Sequence, residues 1–88
     1  PAIVGLIGDC YVNMGDVKEG VSYFEKAAKA ADNEVVSPVY LKKAGLAYEN
    51  LKEYGKAVEA YKRIKEHYYN SMEAADIDKY ITRAAAAK

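Results

Sequence analysis

The sequence predicts an all-α protein of five helices, arranged as tandem antiparallel helical hairpins in an α-solenoid. Three observations favour this fold class. Apolar residues recur at a period near 3.6 along almost all of the 88-residue chain, which is the spacing of a helix with one buried face. The segments between the periodic stretches are short, so successive helices must lie antiparallel. The chain also repeats itself at a fixed interval, as solenoid proteins do.

Capping residues set the predicted helix boundaries. In chain order, the five helices are predicted at about residues 2–14, 17–31, 38–51, 54–68 and 72–87. Gly15 ends the first helix, and Asp16 caps the second with Glu19 placed three residues later, the spacing of a capping box. Ser37-Pro38 is predicted to start the third helix, because serine caps well and proline is tolerated in the first turn.

The later connections are also short. Lys52 and Glu53 are predicted to form a tight turn between the third and fourth helices. Asn70 and Ser71 offer a cap for the fifth helix, with Glu73 three residues after Asn70.

An internal repeat relates the two halves of the chain at a shift of 37 residues. Matched positions keep their size class, large apolar on large apolar and small on small, as expected where one hairpin stacks on a copy of itself. The clearest pairs are Gly8 with Gly45, Tyr11 with Tyr48, Met14 with Leu51, Val21 with Val58 and Phe24 with Tyr61. We expect the fifth helix to depart from this pattern and to close the array as a cap.

The run Gly8-x-x-Tyr11-x-x-Met14-Gly15-Asp16-Val17-x-x-Gly20-x-x-x-Phe24-x-x-Ala27 and its second copy, Gly45-x-x-Tyr48-x-x-Leu51-x-x-Tyr54-x-x-Ala57-x-x-x-Tyr61-x-x-Ile64, resemble the tetratricopeptide repeat. The resemblance covers about residues 2–69. It implies a single TPR-like domain over residues 1–88. Within it, repeat one spans about 2–34, repeat two about 37–69 and a capping helix about 71–87. We interpret the chain as the end of a longer, bacterial-type array.

Two departures from the family pattern bear on the packing. The spacing is 37 residues, against the family's 34, so the loop around residues 34–36 is enlarged. Gly20 stands where the family usually has alanine, and glycine inside a helix costs up to about 1 kcal/mol. We expect these departures to loosen the geometry between the hairpins.

Charge and composition argue against several classes of function. Lys plus Arg number 13 and Asp plus Glu also number 13, whereas nucleic-acid and membrane-surface binders usually carry a basic excess. No apolar run approaches the roughly 20 residues that a bilayer span needs, and no signal-peptide layout is visible. The chain starts at Pro1 rather than Met, so we read it as a piece that could belong to a membrane-anchored protein, and its compartment stays open.

No constellation for catalysis, metal binding or a cofactor is visible, and we predict that the chain is not an enzyme. Cys10 is the only cysteine and His67 the only histidine, so neither can build a metal site alone. We interpret Cys10 as a small core residue and His67 as a structural residue suited to a helix C-terminus. Glu73, Asp76 and Asp78 are more typical of a solvated helix face than of a calcium loop.

The resemblance implies that the first helix of each hairpin lines a concave, protein-binding face. Asparagine side chains there could bond a peptide backbone, and Val12 and Leu46 could receive apolar side chains; the alternative is that these are ordinary exposed positions. The predicted contacts are Asp9, Val12, Asn13, Lys42, Lys43, Leu46, Glu49 and Asn50, with Ala2, Gly5 and Val39 beside them. One subclass of the family grips C-terminal carboxylates with lysines and asparagines. Gly5 and Asp9 stand at two of those positions, so we predict no such clamp.

A second hypothesis assigns the chain a structural role. The segment from Ala2 to Gly8 is apolar nearly all round, and such a helix is normally buried on every side. Ile3 and Leu6 would then pack on upstream repeats or on another copy of the chain, giving a homodimer.

Overall fold

The computed structural model describes residues 2–87, with the side chain of Ala2 outside the description. Within this range the chain forms five α-helices and no strand, which confirms the predicted all-α fold of packed helical hairpins. The elements are α1 (Ala2–Asn13), α2 (Val17–Ala31), α3 (Val36–Asn50), α4 (Tyr54–His67), a short 3-10 helix (Glu73–Asp76) and α5 (Ile77–Ala87).

Each helix packs on the next one along the chain. The pairs α1–α2, α2–α3, α3–α4 and α4–α5 carry the main contacts, as expected where connections are too short to reach a distant neighbour. The Cα framework measures 29 × 28 × 14 Å. The array is therefore a flat slab, and each helix keeps one side open to solvent.

The turns inside the two hairpins lie where the sequence predicts them. Gly15 adopts φ +89° between α1 and α2, a conformation that glycine enters without steric cost. The Asp16 carboxylate accepts a hydrogen bond from the Glu19 N–H at 3.3 Å, so the predicted cap of α2 is confirmed. Lys52, with φ +62°, forms the turn between α3 and α4.

The start of α3 differs from the prediction, because Asn33 rather than Ser37 caps it. The Asn33 Oδ1 accepts hydrogen bonds from the N–H groups of Val35 and Val36, at 3.0 and 2.7 Å. Ser37 is fully buried; its Oγ donates to the Ala28 carbonyl at 2.7 Å and accepts from the Asn33 N–H at 3.0 Å. Ser37 thus ties the end of α2 to the start of α3.

The fifth helix begins later than predicted, at Ile77. The preceding residues form the 3-10 helix, and the Ser71 Oγ accepts from the Ala74 N–H at 3.2 Å. Ser71 is therefore the capping residue at this start, and no capping bond from Asn70 is observed.

The prediction that α5 leaves the repeat pattern is wrong. Ile77, Ile81 and Ala84 lie 37 residues after Tyr40, Ala44 and Ala47 of α3. Both sets pack against the helix that precedes them, the first on α4 and the second on α2. Ile77 and Ala84 are 1% and 0% exposed. The repeat therefore continues into α5, which covers α4 as the first helix of a third unit would.

Two hydrophobic clusters run through the slab, one for each place where hairpins meet. The first joins α2 to α3, and the second joins α3, α4 and α5 and includes Ala28 of α2. Their buried members are Val21, Phe24, Ala44 and Ala47 in the first, and Ala28, Leu41, Ala57, Tyr61, Ile64, Ile77 and Ala84 in the second. Phe24 and Tyr61, matched by the repeat, hold equivalent places in the two clusters.

The helices of the first hairpin cross closely at Gly8 and Gly20. A Cβ built on Gly20 would lie 2.6 Å from Val12 Cγ2 and 2.9 Å from the Gly8 carbonyl oxygen. Both distances are too short for a real contact. Gly20 therefore has a packing role inside the first hairpin, because its missing side chain allows α1 and α2 to touch.

Candidate protein-binding surface

An open cleft of about 300 Å³ lies between α1 and α3, and we call it the α1–α3 cleft. Its lining residues are Asp9, Val12, Val17, Phe24, Lys43, Leu46, Ala47 and Asn50. Five of these are among the eight contacts predicted from the sequence. Their convergence follows from the repeat, which places α1 and α3 side by side with α2 behind them.

The α1–α3 cleft has an apolar floor. Phe24 and Ala47 are buried, Val12 and Val17 are half-buried, and Leu46 stands 42% exposed at the edge. Most small-molecule and peptide sites share this combination of an apolar interior and a few polar groups at the rim.

An ion pair spans the rim of the α1–α3 cleft. The Lys43 Nζ lies 3.0 Å from both carboxylate oxygens of Asp9. Both side chains are more than one-third exposed, and ion pairs this open contribute at most about 1 kcal/mol. The pair still matters for recognition, because each charge is already neutralised by the other. A charged ligand therefore finds no free opposite charge in this pair.

Two asparagines stand near the C-terminal ends of α1 and α3. Asn13 and Asn50 are both exposed, and Asn50 also lines the α1–α3 cleft. Of the other positions expected beside them, Gly5 is buried under the Tyr40 ring and Val39 is half-buried. The side chain of Ala2 lies outside the described residues.

Glu49 faces the opposite flank of α3, where α4 and α5 supply its partners. The Tyr61 hydroxyl and the Arg83 Nη2 each donate to Glu49 Oε1 at 2.6 Å, and the Arg83 Nε donates to Oε2 at 3.1 Å. Only 15% of the Glu49 side chain is exposed. This carboxylate therefore joins α3 to α4 and α5.

The surroundings of Glu49 shift its protonation equilibrium. Burial alone would raise the pKa of the Glu49 carboxyl, but the hydrogen bonds from Arg83 and Tyr61, together with the Arg83 charge, outweigh it and lower that pKa. Burial and the hydrogen bond to Glu49 raise the pKa of the Tyr61 hydroxyl. The carboxylate thus stays ionised and the phenol stays neutral at physiological pH.

Lys42 shares this flank with Glu49. Its Nζ lies 3.9 Å from Asp76 Oδ1 and 4.5 Å from the centre of the Tyr80 ring. Like Glu49, it has partners within the chain. Lys42 and Glu49 therefore face α5, whereas five of the other predicted contacts line the α1–α3 cleft.

Sequence reasoning missed a second cleft, between α2 and α4. It measures about 670 Å³ and is lined by Glu25, Ala28, Lys29, Asp32, Leu41, Arg63, His67 and Tyr68. Glu25 accepts hydrogen bonds from the Tyr48 hydroxyl and from the Arg63 Nη2, each at 3.0 Å. Burial and the Glu25 carboxylate raise the pKa of Tyr48 to about 12. No spacing signal in the sequence reveals that these charged residues of the second helices pair with one another.

The remaining chemical candidates lie on the surface. Cys10 is exposed rather than part of the core, so that prediction is wrong. His67 is exposed in the last turn of α4. Among residues 2–87 no three potential ligands come together as a metal site. In the same range, no helix is both long enough and apolar enough to cross a membrane.

The exposed side of α1 carries the residues expected to self-associate. Ile3 is 73% exposed and Leu6 is 60% exposed. Ile7 and Cys10 continue the strip along the helix, Met14 extends it into the turn after α1, and all three are exposed as well. We call these five residues the α1 outer face.

The fold and the clefts define a protein built from stacked helical hairpins, with open surface along its first helices. Models of the tetratricopeptide repeat match residues 2–34 and residues 41–71. The chain belongs to the tetratricopeptide repeat family. Repeats of this family generally mediate protein–protein interaction or scaffolding, and they are typically not enzymes. No curated protein and no solved structure matches the chain.

Proposed function

We propose that this chain binds a peptide or protein segment in the α1–α3 cleft. The proposal rests on one observation. The α1–α3 cleft has an apolar floor, and its polar rim lies on α1 and α3, the first helices of the two hairpins. Peptide-binding grooves commonly combine pockets that receive the peptide's side chains with polar groups that bond its backbone.

The dimensions of the α1–α3 cleft favour a short apolar anchor. A volume of about 300 Å³ is at the lower end for ligand sites, enough for one large side chain and part of the adjoining backbone. Leu46 and Val12 would contact that side chain, and the Asn50 amide would bond the backbone.

Charge selects against a strongly charged ligand. The Asp9–Lys43 pair at the rim is neutral as a unit, so neither an acidic nor a basic segment gains much there. Lys42 and Glu49 remain predicted contacts of the same face. Because they hold Asp76 and Arg83 within the chain, we expect them to contribute less than Leu46 and Asn50.

The same charges lead us to predict no carboxylate clamp. An acidic peptide with a free C-terminal carboxylate should bind no better than its C-terminal amide, because Asp9 already neutralises the Lys43 charge at the rim. Isothermal calorimetry with the two peptides checks this. Micromolar binding of the free acid that is lost in Lys42→Ala would contradict it.

A displayed library of random 12-residue peptides, selected on the intact chain, supplies a probe for the α1–α3 cleft. Selected peptides should share a large apolar residue. Leu46→Asp should weaken their binding at least about tenfold, and Asn50→Ala about threefold, since tenfold corresponds to about 1.4 kcal/mol.

The matched control is Val35→Asp, the same kind of change at an exposed site on the α2–α3 connection. It should leave binding unchanged. Peptides that bind Leu46→Asp and the natural chain equally well would overturn the proposal, provided that circular dichroism shows both proteins folded.

A further inference from the structure

The 37-residue repeat relates the α1–α3 cleft to the α3–α5 junction, where α3 and α5 flank α4 as α1 and α3 flank α2. Three apolar residues line the α1–α3 cleft at matched positions: Val12, Phe24 and Leu46. The residues 37 positions later are Glu49, Tyr61 and Arg83, and we call them the Glu49–Tyr61–Arg83 trio. The repeat thus keeps the places of these side chains but changes their chemistry from apolar to hydrogen-bonding.

The Glu49–Tyr61–Arg83 trio satisfies its own hydrogen-bonding groups. Glu49 Oε1 accepts from the Tyr61 hydroxyl and from Arg83 Nη2, each at 2.6 Å, and Oε2 accepts from Arg83 Nε at 3.1 Å. Tyr61 is buried, and only 15% of the Glu49 side chain is exposed. A ligand group that enters here without replacing these bonds leaves a largely buried carboxylate unpaired, which is costly.

Tyr80 is the aromatic residue at the rim of the α3–α5 junction, and it stands 37 positions after Lys43. Its ring is already in contact with cations of the chain. The Lys42 Nζ lies 4.5 Å from the ring centre, and the central carbon of the Arg83 guanidinium lies 4.8 Å from it. Both distances are typical of cation–π contacts. An apolar side chain of a ligand would therefore compete with these two cations for the ring.

We propose that the Glu49–Tyr61–Arg83 trio restricts this chain to ligand segments with a single large apolar anchor, because it closes the α3–α5 junction to a second one. This inference rests on the proposed function of the α1–α3 cleft. The first anchor lies beside Val12 and Leu46. A second anchor, one repeat further on, would desolvate the Glu49–Arg83 ion pair and replace none of its hydrogen bonds. The trio thus determines which segments bind, without being the site that holds them.

Isothermal calorimetry with matched peptides tests this restriction. A peptide selected on the intact chain, with one large apolar residue, is compared with derivatives that carry a second leucine. The second leucine stands about two to five residues away on either side, a reach of about 7–17 Å in an extended segment. The natural chain should bind the one-anchor peptide and every two-anchor derivative with dissociation constants that agree within about twofold.

The triple variant Glu49→Val, Tyr61→Phe, Arg83→Leu copies the apolar residues of the α1–α3 cleft into the α3–α5 junction. At least one two-anchor derivative should bind this variant at least about tenfold more tightly than the one-anchor peptide does. The double variant Glu49→Gln, Arg83→Met is milder, because an amide oxygen can still accept the Tyr61 hydrogen bond. It should show a gain of at least about threefold.

Lys62→Leu is the matched control, because it replaces a cation by leucine at an exposed position of α4. It should behave like the natural chain, and circular dichroism should show the variants folded. A natural chain that binds a two-anchor derivative at least about tenfold more tightly than the one-anchor peptide would refute the restriction. So would folded variants of the trio that gain nothing, or a gain that is equally large in Lys62→Leu.

These results are distinguishable from failure of the proposed function. If the α1–α3 cleft is not the binding site, the one-anchor peptide will bind Leu46→Asp as tightly as it binds the natural chain. If only the restriction is wrong, Leu46→Asp will still weaken the one-anchor peptide, while the natural chain gains affinity from a second anchor.

Discussion

Single residues decide how closely the helices of the first hairpin approach. Gly8 and Gly20 face each other across the α1–α2 crossing, and a methyl group on Gly20 would meet both the Val12 side chain and the Gly8 backbone. Backbone cannot move aside as a flexible side chain can. The crossing therefore depends on glycine at this position, although glycine usually weakens a helix.

Gly20→Ala should destabilise the protein by about 1–3 kcal/mol, because the overpacking outweighs the gain in helix propensity. Gly55→Ala is the control, since a Cβ on Gly55 meets nothing within 4 Å; it should stabilise by up to about 1 kcal/mol. Urea denaturation measures both. Equal effects of the two changes would contradict the close crossing.

Glu49 should make stability depend on pH in the acid range. Its folded pKa is lowered from the ordinary 4.5, so its stabilising effect is complete above that value and is lost as pH falls through the folded pKa. The stability difference between the natural chain and Glu49→Gln should therefore narrow below about pH 4.5. Denaturation from pH 7 to pH 3 measures it. A difference that stays constant would count against the Glu49–Arg83–Tyr61 contacts.

At the residue scale, the sequence predicts which side of its helix a residue occupies better than it predicts which other residues that side chain contacts. Val12, Leu46 and Asn50 follow from the repeat, because helical spacing fixes which side of a helix each occupies. The partners of Glu49 and Lys42 do not follow, since they come from α4, α5 and the 3-10 helix and depend on how those helices are rotated. The exposure of Cys10 does not follow from the sequence for a related reason, because apolar neighbours along the chain do not show whether another helix covers the residue.

At the element scale, α5 closes the second cluster. Ile77 is 1% exposed and packs with Tyr61 and Ile64 of α4. Without α5, the apolar side of α4 would face water. α5 thus covers the apolar side of α4, just as α3 covers the apolar side of α2.

Ile77→Ala should lower the stability by about 2–4 kcal/mol, the usual effect of removing a large buried aliphatic side chain. Met72→Ala, at a residue 88% exposed just before the 3-10 helix, should change it by no more than about 0.5 kcal/mol. Thermal and urea denaturation compare the two. If Ile77→Ala were as mild as Met72→Ala, α5 would not be docked as described.

The sequence predicts all five helices, but it predicts the first residue of only some of them. Asp16 caps α2 as predicted because the capping bond is local. Ser37 fits a local cap equally well, yet it is buried against the Ala28 carbonyl, and Asn33 caps α3 instead. That choice depends on tertiary contact between α2 and α3, which the local sequence does not contain.

For the whole molecule, the 37-residue repeat explains three helices at once. α1, α3 and α5 carry equivalent faces, two of them covered by a neighbouring helix and one exposed. The α1–α3 cleft lies where two of these helices adjoin. Fold class and family follow from this periodicity, whereas the α2–α4 cleft arises from side chains of the second helices and could be found only in three dimensions.

Chemical-shift mapping tests the binding site most directly. The ¹⁵N-labelled chain would be titrated with a peptide selected on it, and amide shifts followed residue by residue. We predict that the largest shifts fall on Val12, Leu46 and Asn50, around the α1–α3 cleft. Shifts confined to Lys29 and His67 of the α2–α4 cleft, or to the α1 outer face, would contradict the proposed binding site.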